Sequence, residues 1–234
     1  SDACFRPVDM KTAPDGTLFI CDMYRGIIQE GNWTREGSYL RKVILQHGME
    51  KIIDRGRIWR LVHESSKPAP APKLLATTPD QLVATLAHAN GWHRDTAQKL
   101  LVLRQDPAVV PALAEMAVKH ENPLARSHAL WTLEGLGALT AEQVRAALKD
   151  PSPALRKAAI RASESLADPS LEADITALTT DKDPTVILQV LHTAKRMKWK
   201  DHTRLINFTA LSAGSPGIKE LAGQMLNNQI SFPR

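Results

Sequence analysis

Asp150-Pro-Ser-Pro-Ala-Leu-Arg156-Lys-Ala-Ala159 is the stretch whose reading decides the fold. Ser152 offers a side-chain oxygen to the orphan amides of a first helical turn, and Pro153 behind it has no amide to leave unpaired, so a helix is expected to start here. The same step recurs at Thr78-Pro79, Asp106-Pro107, Asn122-Pro123, Asp168-Pro169, Asp183-Pro184 and Ser215-Pro216. Thr140-Ala-Glu-Gln143 adds a capping box. Between these starts the apolar residues fall at amphipathic spacing: Leu82, Val83 and Leu86; Val110, Leu113 and Ala117; Val144, Ala147 and Leu148; Ile187, Val190, Leu191 and Ala194. An internal period accompanies them. Arg94-x-x-Ala97, Arg126-x-x-Ala129 and Arg156-x-x-Ala159 recur at 32 and 30 residues, and the pattern is expected to fade at Gln189-x-x-His192. A repeat of this length made of short helices predicts a mainly α chain, an α-solenoid of about five helix pairs over 79–105, 107–138, 140–167, 169–198 and 201–228. The small Ala lets neighbouring helices approach, and the Arg is expected to reach back across its turn to the preceding repeat.

The pairs resemble HEAT repeats, with 150–159 the best match. Their period is shorter than the usual HEAT length of about 40 residues, so they resemble the compact HEAT-like variety, and the tetratricopeptide pattern is absent. Trp92, Trp131 and Trp199 are expected to fill repeat interfaces rather than serve as stacking platforms. The dense basic run Lys195, Arg196, Lys198 and Lys200 reads as a solvated helix end with cations near its C-terminal dipole.

Upstream of the repeats, Ser65-Ser-Lys-Pro-Ala-Pro-Ala-Pro-Lys73 can neither continue a strand ladder nor start a helix, and reads as a semi-rigid linker. It divides the chain into a segment 1–64, the linker 65–73 and a helical region 74–234. In the first segment Phe5-Arg-Pro-Val-Asp-Met-Lys11 alternates as a strand does. Ala13-Pro-Asp-Gly16 is turn chemistry, and Leu18-Phe-Ile-Cys21 is a compact apolar run, so a β-hairpin is expected. Residues 37–53 read as helical, with Leu40, Val43, Ile44 and Met49 near one face, and Gly56-Arg-Ile-Trp-Arg-Leu-Val62 returns to strand alternation. About three strands are too few for an independent sheet protein. The segment reads as the last blade, or part of one, of a β-propeller.

Composition bounds the function classes. The 234 residues are 43% apolar with a net charge of +5, which allows a sizeable core, and no apolar run approaches the roughly 18 residues a membrane span needs. Before residue 67 there are 10 basic and 9 acidic residues, and 20 and 16 after it, so the charge is dispersed and argues against a nucleic-acid domain. The eight histidines form no His-x-x-x-His or Glu-x-x-His pair, and P-loop, dinucleotide, nucleophile-elbow and Cys-x-x-Cys-His signatures are all missing. Cys4 and Cys21 are too few for a zinc or disulfide framework. Pairing about the hairpin turn sets Val8, not Cys4, opposite Cys21, which leaves a buried free thiol or a bridge to a segment upstream. The opening Ser1-Asp-Ala-Cys4 shows neither an initiator Met nor the plan of a signal peptide, and the close at Asn227–Arg234 reads as cut, so a piece of a longer protein is expected.

Phe5-Arg-Pro-Val-Asp-Met10, Pro14-Asp-Gly-Thr-Leu18, Asp22-Met-Tyr-Arg-Gly-Ile-Ile-Gln29, Tyr39-Leu-Arg41 and Gly56-Arg-Ile-Trp-Arg60 follow one another in order. This succession resembles the propeller end of the large membrane-bound dehydrogenase proteins of planctomycetes and verrucomicrobia. Those are similar to quinoprotein glucose/sorbosone dehydrogenases, and they continue into HEAT-like repeats and often a cytochrome c domain. Asn90-Gly-Trp-His-Arg-Asp-Thr-Ala-Gln98 resembles the opening of the first helical repeat of that family. The resemblance implies a periplasmic or extracellular sugar oxidoreductase whose propeller holds pyrroloquinoline quinone (PQQ) and Ca²⁺, passing electrons to haem c. It implies that Arg6, Asp9, Asp22, Tyr24, Arg25 and Arg57 line the funnel as cofactor-binding residues, Arg through its planar fork and Asp as a Ca²⁺ ligand. Against this stands a structural role, in which Asp15-Gly16 makes the turn while Asp22, Arg57 and Arg60 join loops.

Glu30 stands where family members often carry His, which removes an imidazole from that position. The base for sugar oxidation is expected in earlier blades, so this piece by itself is expected to be a non-catalytic scaffold, binding protein: the propeller in cis and an electron acceptor on the repeats. The alternative is a free-standing HEAT-like adaptor that binds a protein on its concave face.

Overall fold

The computed structural model describes residues 2, 4–28, 31–212 and 214–227. Glu30 and residues 228–234 of the closing run therefore lie outside the described residues. The chain divides into two compact units, one of Ser1–Lys73 with Asn90–Trp92, the other of Leu74–Ala89 with His93–Arg234. No helix among the described residues is long and apolar enough to cross a membrane.

The first unit holds a small antiparallel sheet of β1 (Pro7–Thr12), β2 (Leu18–Asp22) and β3 (Arg57–Leu61), in the order β1-β2-β3. Between β2 and β3 lie two helices, α1 (Gly31–Thr34) and α2 (Tyr39–Gln46), and a 3₁₀ turn at Met49–Lys51. The hairpin closes through a three-residue loop, Pro14-Asp15-Gly16. Gly16 N donates to Ala13 O, Ala13 N donates to Thr17 O, and Gly16 sits at φ +85°, left-handed backbone that favours glycine. This loop corrects the expected register. Asp9, not Val8, pairs with Cys21, because the turn centres on Asp15 and Val8 is the extra residue of a bulge between Pro7 and Asp9. Both cysteines are free, Cys4 buried and Cys21 exposed. Residues 65–73 group with the first unit, and Ala69 N donates to Asp15 O at the hairpin turn.

One face of the sheet carries apolar side chains that are only partly covered, with Leu18 and Ile20 half-buried. Met10, Ile20 and Trp59 stand side by side across the three strands, with Leu18 beside Leu61. Met10, Trp59 and Leu61 are 61%, 46% and 59% exposed, a large share for apolar side chains aligned on one face.

The elements after the linker are helices, and all but the first two residues of α4 belong to the second unit: α3 (Pro79–Thr85), α4 (Gly91–Arg104), α5 (Val110–Lys119), α6 (Pro123–Gly135), α7 (Ala141–Ala147), α8 (Pro153–Leu166), α9 (Glu172–Thr176), α10 (Pro184–Arg196), α11 (His202–Ser212) and α12 (Pro216–Leu226). The caps follow local chemistry. Thr78 and Thr140 both form capping boxes, and Asn122 and Asp183 accept from the amide two residues on. Asp106 and Asp168 do the same but start 3₁₀ turns, Pro107–Val109 and Pro169–Leu171, that run into α5 and α9. Ser152 and Ser215 precede their prolines without a side-chain cap bond, and at Ser152 it is Asp150 Oδ1 that accepts the Ser152 amide, at 2.8 Å. Replacing Thr140 by Ala, which removes the hydroxyl that accepts the Gln143 amide and leaves the Thr140 amide on Gln143 Oε1, is expected to cost about 1 kcal/mol in a denaturant titration, and Ser152→Ala a few tenths at most.

The predicted apolar positions are the core, except Val110, which is half-buried against it. Leu82, Leu86, Leu113, Val144, Leu155 and Val190 are all buried in one cluster that runs from α3 to α10, and Ile187, Leu191, Ile206, Ile218, Ala222 and Met225 form a second at the C-terminal end. Trp131 and Trp199 pack against the first cluster.

The repeated arginines behave differently from the expectation. Each turns back only to carbonyls of its own loop: Arg94 Nη1 donates to His88 O and Ala89 O, Arg126 Nη1 to His120 O and Glu121 O, and Arg156 Nη1 to Asp150 O and Pro151 O. In Arg126 and Arg156 the rest of the fork reaches forward. Arg126 pairs Nε and Nη2 with both oxygens of Asp150, at 2.8 and 2.9 Å, and Arg156 does the same with Asp181, at 2.8 and 2.7 Å. Asp150 and Asp181 in turn accept the Ser152 and Asp183 amides. A ladder of forks and carboxylates thus ties successive loops, because a guanidinium has five donors and a short loop can use only some of them. Burial alone would lift the Asp181 carboxyl, but the Arg156 fork and the Asp183 amide outweigh it and hold it below the ordinary value. The pattern ends at Ile187 and Val190, not at Gln189 and His192, since these are the residues three and six beyond Pro184, as Arg156 and Ala159 are beyond Pro153.

Candidate functional site

The densest polar cluster of the first unit forms around Asp22, at the end of β2. Its side chain is fully buried and accepts four hydrogen bonds: Oδ1 from the Arg6 and Tyr24 amides, at 2.8 and 2.9 Å, and Oδ2 from Arg57 Nε and Trp59 Nε1, both at 3.1 Å. Arg57 is the residue opposite Asp22 on β3, and Trp59 follows on the same face. The Arg57 guanidinium carbon lies 3.6 Å from the centre of the Tyr24 ring and 4.5 Å from that of Trp59, and its Nη2 reaches Asp2 at 3.4 Å. Tyr24 takes up this place at φ 41°, a costly backbone for a residue with a side chain.

Burial pushes the Asp22 carboxyl upward, but donation from the Arg6 amide, Trp59, Arg57 and the Tyr24 amide wins and pulls it down to about 2. A carboxylate depressed in the folded state contributes its full stabilisation above its ordinary value of 3.8, and that contribution disappears as pH falls through about 2. The environment of Trp59, followed by near-UV circular dichroism, is therefore expected to hold through pH 4 and to change toward pH 2. In Asp22→Asn the step is expected to be missing.

Of the six residues expected at the site, Arg6, Asp22, Tyr24 and Arg57 come together. Arg6 contributes its backbone amide, while its side chain donates to Phe5 O at 3.1 Å. Asp9 and Arg25 do not join them. Asp9 lies exposed on β1, 3.4 Å from Lys11 Nζ, and Arg25 is an exposed side chain at a separate hollow of about 420 Å³ lined by Met23, Ile27, Ile28, Met49, Glu50 and Ile53. The floor of that region depends on Gly26, whose amide donates to Ile52 O and whose missing Cβ would stand 2.0 Å from Met49 O. Trp59 and Asp2 are partners the sequence reading omitted. The alternation of Gly56-Arg-Ile-Trp-Arg60 carries the signal for Trp59, since it puts residues 57 and 59 on one face. Nothing in the sequence points to Asp2.

Chemically the cluster fits a clasp better than a ligand set. Both Asp22 oxygens already accept two donors each, which leaves no lone pair for a cation, and among the described residues no group of three His, Cys, Asp or Glu stands close enough to hold a metal ion. Asp15 plays a similar part at the hairpin turn, accepting from the Thr17 amide and hydroxyl and pairing with Arg60. The Arg57 side chain is 37% exposed, with its guanidinium between two aromatic rings.

Residues 1–65 match the model of a family described as a domain of unknown function, DUF7133. The match takes in the three strands with α1 and α2 and ends before α3. No curated protein matches the chain.

Proposed function

We propose that this chain is the non-catalytic scaffold region of a quinoprotein sugar-dehydrogenase-like oxidoreductase that works in the periplasm or outside the cell. In this reading residues 1–64 are the last blade of a β-propeller, 65–73 the connector, and 74–234 a HEAT-like solenoid that links the propeller to an electron-transfer partner. The observation that carries it is a partly covered apolar face, with Met10, Trp59 and Leu61 exposed beside half-buried Ile20 and Leu18, on a sheet of three strands. Such a face is expected to be covered by neighbouring sheet, and a propeller supplies that neighbour on either side of each blade. The clasp around Asp22 supports the same reading, since it fixes the end of β2 to β3 without using a ligand. For the helical region the support is the forward ladder from Arg126 to Asp150 and from Arg156 to Asp181, a contact between successive repeats that a solenoid requires. PQQ and Ca²⁺ belong to earlier blades of the parent protein in this account, and haem c to a domain after the solenoid.

The coding DNA on both sides of the segment tests the proposal. Strand-rich blades upstream and a Cys-x-x-Cys-His downstream are the expected result, and PQQ- and Ca²⁺-dependent sugar oxidation by the whole protein then follows as the assay. A start codon just before Ser1 and a stop just after Arg234 would overturn it.

A further inference from the structure

On α8 and α10, away from the Asp22 clasp, a cavity of about 250 Å³ is lined by Arg161, Glu164, Gln189, His192 and Arg196. Its base is one carboxylate shared by two guanidiniums. Glu164 Oε2 accepts from Arg161 Nη1 and pairs with Arg196 Nε at 2.9 Å, while Oε1 accepts from Thr193 Oγ1 at 2.7 Å, and Gln189 Nε2 donates to Thr193 Oγ1 at 3.2 Å. The Glu164 side chain is 6% exposed, whereas Arg161 and Arg196 are 46% and 40% exposed. A buried counter-ion therefore holds two half-exposed forks in place. One negative charge against two positive ones leaves a net cation at the mouth.

The forks are only partly used. Among the described residues, Arg161 Nε and Nη2 and both Arg196 Nη groups make no further hydrogen bond. Burial holds the His192 imidazole below its ordinary value, with Glu164 pulling the other way, so the positive charge near neutrality comes from the arginines. The space is smaller than the roughly 300 Å³ at which organic-ligand pockets begin, and suits a single small charged group. Two preset guanidiniums with spare donors suit a planar or tetrahedral oxyanion, which their forks can grip through paired N–H bonds.

We propose that Arg161 and Arg196, anchored by Glu164, form an oxyanion site on the α8–α10 face that takes a carboxylate or phosphate group. This inference stands independently of the oxidoreductase reading. The group can arrive on an acidic protein segment or as a free ion, and the test separates the two. The full 234-residue chain is titrated with a fluorescent hexaglutamate peptide and, separately, with inorganic phosphate followed through the arginine Nε–H NMR signals.

Saturable binding is expected, with the Arg161 and Arg196 signals moving and affinity falling by at least about tenfold in the double variant Arg161→Gln/Arg196→Gln. Arg196→Lys, which keeps the charge but not the fork, is expected to bind more weakly than the wild type and more tightly than the double variant. Arg145→Gln, at an exposed pair with Asp174 outside the cavity, is expected to leave binding unchanged. Response to the peptide alone supports the site and assigns its source to a protein segment, and response to phosphate alone supports it and assigns a free ion. No saturable response to either probe, or equal binding by the wild type and a double variant of unchanged helical circular dichroism, would overturn the proposal.

Discussion

Replacing Asp150 by Ala is expected to destabilise the helical unit by about 3–5 kcal/mol, the cost of removing one partner of a buried ion pair and leaving the other charge in place. Arg126 and Asp150 are each only 10% exposed in their side chains, and the pair is bidentate. The loss has two parts. Arg126 keeps its bonds to His120 O and Glu121 O but has nothing for Nε and Nη2, and the Ser152 amide at the start of α8 loses its acceptor. Asp150→Asn, which keeps an oxygen for the Ser152 amide, is expected to fall between the wild type and Ala. The double variant Arg126→Met/Asp150→Leu is expected to recover much of the loss, since replacing a whole buried pair by apolar groups of similar volume is often near neutral. Thermal or urea unfolding followed at the helical circular dichroism band reads all four proteins. Equal stability of Asp150→Ala and the wild type would mean that the ladder carries no load.

Gly26→Ala is expected to cost the first unit about 3 kcal/mol, at the upper end of what overpacking does. The atom it would strike is a backbone oxygen, Met49 O, at 2.0 Å, and the backbone there is held by the Gly26 amide on Ile52 O. A flexible side chain could move aside, but this carbonyl can do so only if the turn at Met49–Lys51 opens. The expected result is loss of the near-UV signal of the first unit at a lower denaturant concentration, with the helical transition unchanged. Gly16→Ala acts through a different cause, strain at φ +85° with open space around it, and is expected to be milder.

The parts of this fold that could be read from the sequence are those whose cause is local. A capping residue before Pro marks a helix start whatever lies around it, and Thr78, Asn122, Thr140 and Asp183 all cap as their chemistry dictates. The hairpin was legible for the same reason, but its register was not. One extra residue in the turn moves Asp9 into the place of Val8, and the bulge that restores the pairing at Pro7 has no marker of its own.

Partners distant in sequence were harder. The forward reach of Arg126 spans 24 residues to Asp150, and the grip of Arg196 on Glu164 turns part of an apparently solvated basic run into an inter-helix contact. Lys195, from the same run, donates to Met225 O. At the candidate site, motif order brought Arg6, Asp22, Tyr24 and Arg57 into view. It could not tell an aspartate that offers its oxygens to a ligand from one that has spent them on four protein donors.

Hydrogen exchange of the intact 234-residue chain tests the central claim, that the small sheet is one piece of a larger β structure. The informative amides are Phe19, Ile20 and Cys21 on β2, the central strand with a partner on each side, compared with the buried turns of α6 and α8. The account predicts that the β2 amides exchange far faster than those of α6 and α8, because the apolar face behind them is only partly covered. Protection of β2 equal to that of the helices would show a sheet complete in itself, and would contradict the account.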